Sequence, residues 1–238
     1  MEKKKITCKQ KITLLQNKYT YKQIKIFLLN KYKCKVTNPI FNLQTIYNGH
    51  FKVTYRGIPM QKNPFDYVLY QMLINDIKPD LIIEIGSYNG ASALYYSDIL
   101  DLIGNGMVHS IDIEDHIHLL AKQKSNIKFF TTGYQNYDLN NAKEFNKIMV
   151  IDDGSHYYDD VLKALNKFSV LININSYYII EDGIVSALGM KKEYNGGPLK
   201  AIDEFLKNNN NFIIDRKYCD FFGKNATFNV NGFLKRIK

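Results

Sequence analysis

Two short stretches of this 238-residue chain concentrate side chains that hold cations and move protons: Asp152-Asp153-Gly154-Ser155-His156 and the pair Glu181-Asp182. Clustered carboxylates are oxygen ligands for a hard divalent cation, Mg2+ first and Mn2+ or Ca2+ after it, and not for a soft metal. His156 follows Asp153 by three residues. Beside an ion that holds a hydroxyl, an imidazole with an unperturbed pKa near ~6.5 is placed to remove the proton. Asp159 and Asp160 suit the start of a helix, where negative charge complements the dipole. His50, His109, His116 and His118 show no ligand spacing.

A third stretch, Glu84-Ile-Gly-Ser-Tyr-Asn-Gly-Ala-Ser92, is a glycine turn preceded by an acid. Its glycines let the backbone turn sharply and let a ligand approach the following helix. The spacing is GxxxG with Tyr88 in the middle, not the GxGxxG that makes room for a pyrophosphate, and GxxxxGK[ST] is absent. Asp112 follows Gly86 by 26 residues, where a carboxylate bonds ribose hydroxyls in nucleotide-type folds. A ligand with a ribose and positive charge but no phosphate suits both features. S-adenosylmethionine (SAM) is such a ligand.

These groups need a scaffold that gathers them. Short apolar runs at 81–85, 107–112, 127–131, 147–152 and 177–181 read as strands. Helix-period segments at 91–102, 157–168 and 198–207 fall between or after them, and Asn63-Pro64 opens a further helix that stops at Lys78-Pro79. The alternation predicts an α/β fold, a doubly wound and mostly parallel sheet with helices on both faces. The runs 212–222 and 226–237, joined through Gly223-Lys224-Asn225, predict an antiparallel hairpin on the sheet edge with no room for a helix. In open α/β sheets ligands bind beyond the carboxyl ends of the strands. Four of the five strands end in or beside acids (Glu84, Asp112, Asp152-Asp153, Glu181-Asp182), a rim that calls for a positive partner.

The formal net charge of +9 is unevenly spread. Residues 1–35 hold eleven of the 32 basic residues and one of the 23 acids, so this leader carries +10 and the remainder −1. The near-neutral body argues against a nucleic-acid partner. The leader has helical spacing with lysines off its apolar face, and predicts a helix that packs on the body, mediates oligomerisation or touches membrane head groups peripherally. The organisation expected is a basic helical extension over 1–55 and a catalytic domain over 56–238. Three scattered cysteines argue against a disulfide framework or a zinc site. No apolar run approaches the ~18–20 residues of a membrane span, and the cytoplasm is the expected compartment.

Taken in order, these motifs resemble a known family. The loop Glu84–Ser92 looks like the cofactor loop of metal-dependent class I methyltransferases, catechol O-methyltransferases included. Gly57-Ile-Pro-Met-Gln-Lys-Asn-Pro-Phe-Asp66, Ile151–His156, Ile179–Asp182, Gly197-Pro198 and the end Thr227-Phe-Asn-Val-Asn-Gly-Phe-Leu-Lys-Arg236 are similar to the cephalosporin hydroxylase/rhamnosyl O-methyltransferase family. The acid, histidine and acid-pair arrangement is shared with macrolide sugar O-methyltransferases. The resemblance spans roughly residues 55–238 and implies a seven-stranded Rossmann-like methyltransferase. It implies that Glu84, Gly86, Ser87, Gly90 and Ser92 surround the methionine part of SAM, with Tyr88 and Asp152 also on the cofactor. Asp112 would take the ribose and Gly133-Tyr134 would border the adenine. Asp153, Glu181 and Asp182 would bind the divalent cation, with His156 as base. Asp152 competes with Asp153 for the metal position, and the related families place their base three residues after the metal-binding acid, which selects Asp153.

The activity expected is methyl transfer from SAM to a hydroxyl of a small polar acceptor, sugar-linked or anionic, in polysaccharide or natural-product biosynthesis. Lys191 and Lys192, in the loop 183–197, are the residues offered to a phosphate or carboxylate. Three rivals remain at this level: N-methylation of an amine or amino-alcohol, phosphorylated or not; a glycosyltransferase using Asp152-Asp153 for its metal; and a binding module whose leader is the working part.

Overall fold

The apolar runs become the strands of one seven-stranded sheet in the computed structural model, which describes residues 42–238. The helical leader expected over 1–35 lies outside the described residues. Helix α1 (Leu43–His50) and a hairpin of two-residue strands, β1 (Thr54–Tyr55) with β2 (Ile58–Pro59), come first. Helix α2 (Pro64–Ile77) follows. Asn63 caps it by accepting from Phe65 N–H at 3.2 Å, Pro64 sits where no hydrogen bond is lost, and Lys78 ends it in the left-handed region before Pro79.

Then strands and helices alternate as expected: β3 (Leu81–Ile85), α3 (Ala91–Ile103), β4 (Met107–Ile111), α4 (Leu119–Lys122), β5 (Ile127–Phe130), α5 (Gly133–Asn136), β6 (Ile148–Asp152), α6 (Tyr158–Phe168), β7 (Tyr177–Ile180) and α7 (Gly197–Asn208). The chain closes with β8 (Phe212–Ile214), α8 (Arg216–Cys219) and β9 (Phe233–Arg236). The strand order is β5-β4-β3-β6-β7-β9-β8, parallel except that β9 runs antiparallel to both its neighbours. The ending is the antiparallel pair expected on the sheet edge, β8 with β9, but it is built differently in detail. Its strands are only three and four residues long, the helix α8 lies between them, and β9 inserts between β7 and β8. Asp215 starts that helix by accepting from Lys217 N–H at 2.9 Å.

Both sheet faces are buried. Leu69, Tyr70, Leu73 and Ile74 of α2 and Leu94 and Tyr96 of α3 pack with Ile82, Ile151 and Ile179 on one face. Val161, Leu165 and Phe168 of α6 and Ile202 and Phe205 of α7 pack with Ile83, Val150 and Ile180 on the other. Strands covered on two sides read as continuous apolar runs.

A buried carboxylate ties the start of α2 to the C-terminal segment. Asp66 accepts from Phe228 N–H at 2.9 Å and from the Thr227 hydroxyl. Burial pushes Asp66 up to about 7, and does the same to Glu84 and Asp152. A carboxyl raised in the folded state keeps a proton that the unfolded chain has lost, so its contribution is complete below about pH 4 and disappears as pH rises through about 7. His109, buried beside Tyr137 and pushed down to about 4 by that burial, acts in the opposite sense, but is one group against five, since burial raises Glu181 and Asp182 as well. The Tm is therefore expected to be about 2–6 °C higher at pH 5.5 than at pH 8. Thermal melts of Asp66→Asn should show a flatter pH dependence, and an unchanged slope would remove Asp66 as a cause.

Candidate active site

Register builds the acidic rim. Ile85, Ile111, Asp152 and Ile180 lie opposite one another at the strand ends, so Gly86, Asp112, Asp153 and Glu181 follow in one row. The ladder continues into that row: Gly86 N–H donates to Ile111 O, Asp153 N–H to Ile85 O and Glu181 N–H to Asp152 O, all at 2.8–2.9 Å. Alternation along β6 then separates its two acids. Asp152 shares a face with Ile148 and Val150, whereas Asp153 shares one with Met149 and Ile151 and neighbours Glu181 on the adjoining strand.

A cleft of about 720 Å³ opens above this row. Among the described residues it is lined by Asp112, Glu114, Asp152, Asp153, Asp160 and Asp182, with His50, His116 and His156 but no lysine or arginine. Lys191 and Lys192 are exposed and do not line it. Four lining residues, Gln61, Tyr88, His156 and Asp182, hold left-handed φ values of 42° to 60°. Such backbone costs of order 1–3 kcal/mol each and concentrates at functional sites.

On one side of the cleft the loop after β3 is fixed from below. Gly86 has φ of 97°, and a β-carbon there would collide with the Asp153 carbonyl. The turn closes with Gly90 N–H donating to Ser87 O at 2.7 Å, and Gly90 starts α3. Asp112 reaches over from β4, accepting from Tyr88 N–H at 2.8 Å and Ile113 N–H at 2.7 Å. Beneath the loop, Glu84 accepts from the Ser110 hydroxyl, which lies 2.6 Å from Ser87 Oγ. The other oxygen of Glu84 is buried with no hydrogen-bond partner. Of the residues expected on the cofactor, Gly86, Ser87, Tyr88, Ser92, Asp112, Gly133, Tyr134 and Asp152 line the cleft. Glu84 and Gly90 lie behind its wall. Tyr134 donates to Asp160, which also accepts from Ser155 Oγ at 2.8 Å, so Asp160 braces the loop carrying His156.

On the other side, His156 Nε2 lies 3.3 Å from Asp182 Oδ2 and 3.9 Å from Asp153 Oδ1. Ligand-capable atoms of these three residues fall within 4.8 Å of one another. The trio expected for the ion therefore differs at one corner. Glu181 is not in the group and does not line the cleft. Its Oε1 accepts instead from Lys62 Nζ at 2.5 Å and from Tyr70 OH at 2.8 Å. Lys62 also reaches Asp153 Oδ2 at 2.5 Å. Burial pushes Lys62 toward neutrality, but the charges of Asp153 and Glu181 outweigh it and hold the ammonium well above the usual lysine range.

Lys62, His50 and Asp160 are the residues near the cleft whose part the sequence reading missed. A signal for Lys62 existed: it stands immediately before a helix N-terminus, where the dipole disfavours a cation, so acids elsewhere must justify it. No comparable signal marks His50.

Comparison with known proteins gives a consistent picture. Residues 47–237 match the family described as Rhamnosyl O-methyltransferase/CmcI. A rhamnosyl O-methyltransferase of Mycobacterium leprae is 28% identical over 205 residues, covering 80% of this chain and 87% of that protein. One of Mycobacterium tuberculosis is 29% identical over 199 residues, covering 78% of each. Among solved structures, CmcI with Mg and SAM aligns with a TM-score of 0.61 at 19% identity, over 88% of this chain and 84% of that one. CmcI with SAH aligns at 0.63 and 20% identity, over 85% and 96%. At those identities the two structures establish a common fold.

Proposed function

The chain belongs to the rhamnosyl O-methyltransferase/CmcI family and is a SAM-dependent methyltransferase, and from that premise we propose that it methylates a sugar hydroxyl with the help of a divalent cation. Family membership removes the glycosyltransferase and binding-module readings. The observation that carries the proposal is a single cleft in which the Gly86 loop and Asp112 face Asp153, His156 and Asp182. Among the described residues six acids and no lysine or arginine line that cleft, which favours a neutral acceptor over an anionic one. The body of the enzyme reaches back to about residue 47, where the family match begins, and His50 lines the cleft.

The residues present fit both SAM and a divalent cation. Gly86 leaves room where a β-carbon could not stand, and Glu84 keeps a buried acceptor for an ammonium group or a bridging water. Asp112 is held rigid by two backbone donors and has lone pairs left for ribose hydroxyls. Carboxylate oxygens of Asp153 and Asp182 suit a hard ion such as Mg2+. Such an ion prefers oxygen to nitrogen, which leaves the His156 imidazole free.

When bound, SAM supplies an electrophilic methyl and the ion supplies charge that lowers the pKa of the acceptor hydroxyl. The protein's part is orientation and proton transfer. Asp112 and the Gly86 loop fix the donor's direction, and Asp153 and Asp182 fix the acceptor side, so two reactants become one oriented pair. His156 takes the acceptor proton at Nε2, and Asp182 Oδ2, 3.3 Å away, stabilises the imidazolium that results. No helix among the described residues is long and apolar enough to cross a membrane.

The test is a labelled-methyl assay with SAM against rhamnosides, other hexosides and amino alcohols, with mass spectrometry of the product. We expect O-methylation of a sugar, and in the same assay Asp112→Ala should raise the KM for SAM at least tenfold. Label on nitrogen alone would transfer the activity to amines, and an unchanged KM would remove the ribose assignment.

A further inference from the structure

Lys62 is 2% exposed, and an ammonium taken out of water costs several kcal/mol unless it is paired and hydrogen-bonded. Local structure gives it no support, because Asn63 caps the helix and Lys62 sits at the positive end of the dipole. Its partners come instead from 91 and 119 residues away: Asp153 Oδ2 and Glu181 Oε1, each at 2.5 Å. Glu181 is anchored further by Tyr70 OH at 2.8 Å, and Tyr70 is itself held by Asn229 Nδ2 at 3.0 Å. The ammonium thus bridges the ends of β6 and β7, directly beneath the rim.

The bridge divides Asp153. One carboxylate oxygen belongs to Lys62, and the other faces His156 and the cleft. Glu181 is withdrawn altogether, on the cleft's blind side. Three carboxylates, Asp153, Glu181 and Asp182, therefore share one built-in positive charge before any ion arrives. We propose that Lys62 is an intramolecular competitor for the divalent cation: it occupies carboxylate oxygens that the ion would otherwise use, and so sets the ion's affinity. It is a positioning residue, since it does not line the cleft and acts through Asp153 and Glu181. The inference rests on the divalent-ion reading given above.

The experiment measures Mn2+ binding by the full chain, by electron paramagnetic resonance and calorimetry, without acceptor. Lys62→Met should lower the Kd for Mn2+ at least tenfold, because it frees two carboxylates and removes a neighbouring positive charge. Lys62→Met also strands a buried carboxylate, so Lys62→Gln, which keeps an N–H donor for Glu181 without the charge, is measured beside it, with folding followed by circular dichroism. Lys62→Gln should shift the Kd in the same direction. An equal or higher Kd in the folded variants, with wild-type binding intact, overturns the competition. No Mn2+ binding by wild type or variants overturns the divalent-ion reading itself, and the two failures are thereby told apart.

Discussion

Replacing His156 by alanine is expected to lower kcat by about 10²–10⁴, with the Kd for SAM changed less than about threefold. His156 is the one ring nitrogen placed between Asp153 and Asp182 at the cleft, 3.3 Å from Asp182 Oδ2, with a side chain 19% exposed. That geometry supplies the two things a base needs, a carboxylate to orient and stabilise the ring and access to the acceptor. A structural role would predict something different. His156 has φ of 60°, so alanine also meets backbone strain there, whereas asparagine tolerates the left-handed region. His156→Asn is therefore the control: it relieves the strain and supplies no base. Equal loss of rate in both variants, together with loss of the acid limb of the wild-type pH–rate profile, supports proton transfer. Recovery of rate in His156→Asn would make the residue a backbone element. Single-turnover methyl transfer, measured across pH, reads both.

The proline and glycine signals and the apolar runs were enough for the scaffold. Asn63-Pro64 and Lys78-Pro79 mark helix ends that the structure has, and β3 to β7 fall within a residue or two of the runs expected. What could not be read has physical causes. A parallel strand covered on both faces is apolar throughout, so Ile148–Asp152 gives no alternation from which to say which of Asp152 and Asp153 faces the adjoining Glu181. Pairing decided it. The insertion of β9 between β7 and β8 was equally silent, since two adjacent β-rich runs suggest a simple hairpin and nothing local announces a third partner. Lys62 shows the same limit at the site: its identity was visible, its partners lay far along the chain, and the resemblance that covered the segment Gly57–Asp66 assigned it no part.

Stripping divalent cations with a chelator is expected to reduce turnover at least ~10³-fold, with Mg2+ or Mn2+ restoring it and K+ failing to. The reason is the charge the fold has assembled. Three acids, Asp153, Glu181 and Asp182, face the single ammonium of Lys62, and burial with the charge of Asp153 pushes Glu181 and Asp182 toward protonation, so the centre holds an excess of acid over cation. A sugar hydroxyl would gain negative charge as its proton passes to a base such as His156, before the bond to the methyl forms, and fixed negative charge beside it opposes that deprotonation. Lys62 cannot remedy this, being 2% exposed, bound to two carboxylates and absent from the cleft wall. A divalent cation held by Asp153 and Asp182 would offset the excess and stabilise the oxyanion character of the acceptor. Steady-state rates in chelator, before and after adding each ion, check the point. Full activity in chelator would mean that the acids hold no ion, and would leave Lys62 as the lysine that, among the described residues, pairs with the acidic centre.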